Sequence, residues 1–155
     1  MSCNIVLAAA LLFAPQDAGA NVAAPATVSS TTLSDEADFR AIILEAGTLR
    51  DMARSWLTSG ETASDLFVQG QPYRGFKTRA LQLSQANMAA HHMMKARGTD
   101  GDLTCILRGI SEDLPKKLDL IEAARSGDER QQAVDEIAYL LNDNVEVILA
   151  PPHTD

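Results

Sequence analysis

The sequence predicts an all-α fold: an antiparallel up-and-down four-helix bundle with a kinked third helix. Three observations point to it. Only 5% of the 155 residues are aromatic, while alanine and leucine are abundant, and that balance favours helices over a sandwich or barrel. Four segments repeat apolar residues at three-and-four spacing, with mostly short turns between them. No segment shows a convincing strand pattern, and no internal repeat is visible. A chain of this length makes one domain and can bury a core without disulfide staples.

Residues 1–20 read as an export signal. IVLAAALLFA, Ile5 to Ala14, is a ten-residue apolar run. Pro15, the polar pair Gln16-Asp17 and the triplet Ala18-Gly19-Ala20 follow it. Apolar run, breaker and small-residue cleavage site stand in the order of a secretory leader, so the mature chain is expected to start at Asn21, in the periplasm or outside the cell. The segment ahead of the run, MSCN, lacks the usual Lys or Arg. Ten residues do not span a bilayer, so no membrane span is expected. Cys3 leaves with the leader, and Cys105 is then expected to be buried as a small hydrophobe inside LTCILRGI. The absence of C-x-x-C-H excludes covalent c-type haem.

The elements follow in order. Residues 21–33 (NVAAPATVSSTTL) are small, polar and without period, and read as a flexible linker. The bundle is expected over 34–150. Its first helix starts near Thr32 or Ser34 as cap, with Asp35, Glu36 and Asp38 complementing the dipole. Phe39, Ile42, Ala46, Leu49, Ala53 and Trp56 form its inner stripe. Residues 58–72 make the longest connection, with Leu66, Phe67 and Val68 folded over the bundle's end. The second helix runs from about Pro72 to Arg97, and GTDG ends it. Asp100 or Asp102 can cap the third, whose inner side carries Leu103, Ile106, Leu107, Ile110, Leu114, Leu118 and Ile121. Pro115 predicts a kink or break around residues 112–114. In the fourth, Ser126 and Glu129 make a capping box, and Val134, Ile137, Leu141, Val145 and Ile148 face inward. Pro151-Pro152 stop it, leaving residues 151–155 as a loose tail.

Charge narrows the partners. A net charge of −8 argues against nucleic acid and against an anionic membrane surface. Between Leu66 and Thr99, however, stand five basic residues and no acid: Arg74, Lys77, Arg79, Lys95 and Arg97. One reading is a strip for an anionic ligand such as haem propionates. The favoured reading is a basic helix neutralised by acidic neighbours.

The stretch ANMAAHHMMKARG places two histidines and three methionines within Met88 to Met94. At about 100° per residue, Phe76, Ala80, Leu83, Asn87, Ala90 and Met94 share the core face. A buried Asn87 needs a hydrogen-bond partner, and His91, one turn on, is the expected one. His92 points away, near Leu81 and Met88. Imidazole with thioether suits copper(I) or a haem iron, so His91 and Met94 are candidate ligands, with Met52 or Met88 assisting. Soft ligands inside a helical bundle resemble the four-helix b-type cytochromes in architecture. That family takes its histidine from the last helix, which here has none, so no residue is carried over.

His92-Met-Met-Lys95-Ala96 also resembles the H-x-x-K-[GA] core of histidine phosphotransfer domains. The resemblance implies an outward phosphoacceptor at His92, with Lys95 neutralising the phosphate in a cytoplasmic chain. Enzyme signatures are absent: there is no H-E-x-x-H, G-x-S-x-G, P-loop or G-x-G-x-x-G. The chain is therefore expected to be an exported, non-enzymatic binding bundle, taking a metal or haem through the His/Met cluster. The alternative is a structural or interaction bundle without cofactor, in which Leu81, Met88 and His92 form a homodimer face or dock a periplasmic protein.

Overall fold

A computed structural model describes residues 32–99 and 101–152 of the chain. The expected leader, residues 21–31 of the expected linker, Asp100 and the last three residues of the tail lie outside them. The described residues form four α-helices: α1 (Ala37–Ser59), α2 (Gln71–Ala96), α3 (Asp102–Ala123) and α4 (Gly127–Leu149). The described residues contain no strand. Each helix packs on its neighbours in sequence, and α1 also packs on α4, closing the ring of an up-and-down bundle. Packing is most extensive between α1 and α4 and between α2 and α3. It is thinnest between α1 and α2.

Local chemistry sets the helix ends. A 3-10 turn over Leu33–Asp35 precedes α1, and Leu33 packs against the core. The expected Thr32 or Ser34 cap is not used. Glu36 occupies the N-cap without a side-chain bond, and the Thr32 hydroxyl donates to the Asp35 carboxylate. Gly98, at φ 75°, turns the chain out of α2 while Thr99 N–H bonds the Met94 carbonyl at 3.0 Å. Only a residue without Cβ takes that left-handed position cheaply. At α4 the capping box forms: Glu129 N–H donates to Ser126 Oγ at 3.1 Å, and the Glu129 carboxylate accepts from Arg125 N–H at 2.7 Å.

Every residue of the α1 stripe is buried, as are the inward positions of α4 and, apart from half-buried Ile106, those of α3. At one end of the bundle Trp56, Phe67, Tyr73 and Phe76 pack edge to face and tilted. The Trp56 ring centroid lies 5.1 Å from both Phe67 and Phe76. Phe67 belongs to the long α1–α2 connection, so this aromatic cluster pulls the loop onto the core. Arg130 of α4 holds the same loop from the other side. Its guanidinium is 5% exposed and donates through Nη1 to the Thr62 and Ser64 carbonyls at 2.8 and 2.9 Å. Gly127 allows the close approach, since a Cβ there would meet Ala63 Cα at 3.0 Å.

Pro115, expected to kink or break α3, does not interrupt it. A proline offers no N–H to the carbonyl four residues back, which here is Ser111. Ser84 of α2 supplies the missing donor, its Oγ lying 2.7 Å from the Ser111 carbonyl oxygen. Removing that hydroxyl by Ser84→Ala is expected to cost about 1 kcal/mol. The cost should largely vanish in a Pro115→Ala background, where the new N–H bonds Ser111 instead. A double-mutant cycle by urea unfolding reads the coupling, and additive losses would refute the pairing.

Tyr73 is 1% exposed, and its hydroxyl donates to the Leu118 carbonyl at a long 3.4 Å. Burial first, and the nearby Glu122 charge second, push its pKa well above the usual tyrosine range. A raised phenol pKa means the unfolded state ionises first, so stability falls as pH rises above about 10, the pKa of an unfolded tyrosine. In a Tyr139→Phe variant, the tyrosinate absorbance of Tyr73 is expected to appear only as the helical signal is lost. Ionisation with the helices intact would contradict this.

Candidate functional site

The inner line of α2 is buried as its spacing predicts: Phe76, Ala80, Leu83, Asn87, Ala90 and Met94. Ser84 and His91 are buried beside it. Ser84, Asn87 and His91 therefore make a polar row within an apolar interface, and each finds its partner on another helix.

Asn87 does not bond His91, the partner its sequence spacing predicted. It pairs with Asn144 across the bundle on α4. Each amide donates to the other's carbonyl oxygen, at 2.9 and 2.8 Å, and Asn87 Nδ2 also reaches the Leu83 carbonyl at 3.0 Å. Both asparagines are 0% exposed. A reciprocal amide pair satisfies donors and acceptors together, which an imidazole one turn away on the same helix does not.

His91 turns to α3, with Nδ1 2.7 Å from the Thr104 carbonyl oxygen. A carbonyl only accepts, so Nδ1 carries a proton. Metal-bound histidines are oriented in this way. Met94 is buried one turn away on the same helix. Met52 touches Arg79 Nη1 at 3.6 Å, and Arg79 stands about 18 Å from His91 along α2 at 1.5 Å per residue. Met88 is half-buried. Among the described residues no three His, Cys, Asp or Glu side chains converge. Helix rotation alone put these sulfurs in register, and the helix levels separate them.

His92 is exposed, with Lys95 exposed after it. Leu81 is 36% exposed, so the outer line of Leu81, Met88 and His92 shows partial apolar surface. Cys105, expected to be buried, is exposed. Leu103, Thr104 and Leu107 take the inward positions around it, and 100° per residue then turns Cys105 outward.

The basic strip is largely neutralised. Lys77 pairs with Glu122 of α3 at 2.7 Å, Arg79 with Glu45 of α1 at 2.7 Å, and Arg97 with Glu36 at 2.8 Å. Arg74 and Lys95 are exposed and make no ion pair among the described residues.

Two of those pairs flank a feature that sequence reasoning missed. Along the thin α1–α2 contact runs a slot of about 580 Å³. Ala41 and Ile42 line it from α1, and Leu83, Ala86, Ala90 and Met93 line it from α2. The available signal was the clustering of alanines on facing sides of two helices, but pairing α1 with α2 at this level requires the register. Asn144, Thr104 and Arg130 were missed for the same reason: each acts through a contact far away in sequence.

No known family model, curated protein or solved structure matches the chain.

Truncating one amide of the central pair leaves the other buried and unpaired. Asn87→Ala is expected to lower unfolding free energy by about 1–3 kcal/mol. Replacing both partners, Asn87→Leu with Asn144→Leu, should recover most of that loss. Chemical denaturation tests this, and a double variant no better than the single one would contradict it.

Proposed function

We propose that this chain is an exported, non-catalytic binding protein whose binding face is the slot between α1 and α2. The observation that carries this reading is the slot itself. Its volume of about 580 Å³ falls within the roughly 300–1,000 Å³ typical of small-molecule sites. Its walls are mainly apolar, with a few polar groups at the rim. Export rests on the leader pattern of residues 5–20. A metal-centred function draws less support, because His91 and Met94 come from one helix and Met52 lies at a distant level.

Expressed with its N-terminus intact, the chain is expected in the periplasmic fraction, starting at Asn21. The purified protein should bind the neutral apolar dye Nile red at one site. Ala86→Phe, which fills the slot, should abolish that binding while helix content is retained. The double variant His91→Ala, Met94→Ala should keep it. Iron or copper at one atom per chain, lost in the double variant, would replace this function with metal binding.

A further inference from the structure

The two ends of the slot decide what it can hold. The lining runs from Asp38 to Glu45 on α1 and from Gln82 to Met93 on α2, about 10 and 17 Å at 1.5 Å per residue. At each end an ion pair crosses between the two sides. At one end Arg79 grips Glu45 with two parallel bonds, Nε to Oε1 at 2.7 Å and Nη2 to Oε2 at 2.9 Å. At the other, Arg97 Nη1 lies 2.8 and 2.9 Å from the two carboxylate oxygens of Glu36. Each guanidinium also touches a methionine sulfur: Arg79 meets Met52 at 3.6 Å, and Arg97 meets Met93 at 3.2 Å.

These bridges have two consequences. The first concerns shape. A partner helix about 10–12 Å across lying along the furrow would have to run over both bridges, whereas a slender molecule shorter than the slot fits between them. The second concerns charge. Both arginines already hold carboxylates, and Asp38 at the rim adds an exposed negative charge. An anionic head would have to displace a bonded glutamate and would still face Asp38. The floor of alanines, Ile42, Leu83 and the adaptable thioether of Met93 offers only apolar contact.

We propose that the slot binds a chain-like apolar molecule: a linear alkyl body without an anionic head. This rests on reading the slot as the binding face. Competition against bound Nile red tests it, with decanol and decanoate as competitors at neutral pH. Decanol is expected to displace the dye at concentrations at least about tenfold below those of decanoate. Freeing Arg97 by Glu36→Gln should selectively improve decanoate, narrowing or reversing its gap to decanol. Decanoate binding the unaltered protein as tightly as decanol would overturn the ligand class and leave the slot as the binding face. Dye binding that survives Ala86→Phe would instead overturn the slot itself. As a control, Tyr139→Ala removes an exposed aromatic outside the slot and should leave every affinity unchanged.

Discussion

Three polar side chains buried on one helix must each find a partner, and much of the bundle's geometry follows from where they find it. Ser84, Asn87 and His91 of α2 bond Ser111 and Thr104 of α3 and Asn144 of α4. The pairs Ser84–Ser111 and His91–Thr104 are each seven residues apart on their own helix, so a single antiparallel register satisfies both. A one-turn shift of α2 against both neighbours would part all three groups from these partners. A net hydrogen bond is worth about 1 kcal/mol, whereas a buried unpaired group costs about 1–3 kcal/mol. The row therefore acts less as glue than as a penalty against every other alignment. Apolar stripes of alanine and leucine would tolerate several such alignments.

Ser84 shows how closely this alignment is coupled to sequence elsewhere. Its hydroxyl meets the one α3 carbonyl that Pro115 deprives of its usual donor. A serine on α2 and a proline on α3 that look unrelated in the chain thus meet at one carbonyl, and α3 runs on through Pro115. Arg130 plays a comparable part at the end of the bundle that carries the α1–α2 connection. There a buried guanidinium and the Trp56–Phe67 contact hold the α1–α2 connection against α4.

The same ties account for the slot. With α2 bonded inward to α3 and α4, and α1 packed mainly on α4, the α1–α2 seam is left with small side chains and two ion pairs at its ends. Alanines at facing positions keep the furrow open, and the arginines that bound it spend their charge on Glu45 and Glu36. Basic residues that stand unopposed along the chain are thus mostly opposed in space. The surface that remains distinctive is an apolar one.

Much of the architecture was legible without coordinates, because helical periodicity is a local property. The stripe from Phe39 to Trp56, the inner line of α2, and the Ser126–Glu129 cap all depend on residues within a turn or two of each other. So does the inward or outward direction of each side chain, which separates buried His91 from exposed His92. What the sequence by itself left open was which levels of different helices meet. Spacing alone made His91 the natural partner of Asn87 and placed Met52 among candidate ligands. The tertiary register gave Asn87 to Asn144, gave His91 to a backbone carbonyl, and set Met52 beside Arg79, far along the helix. Periodicity determines the rotation of a helix about its axis. Only packing determines its height against its neighbours, and both the polar row and the slot are matters of height.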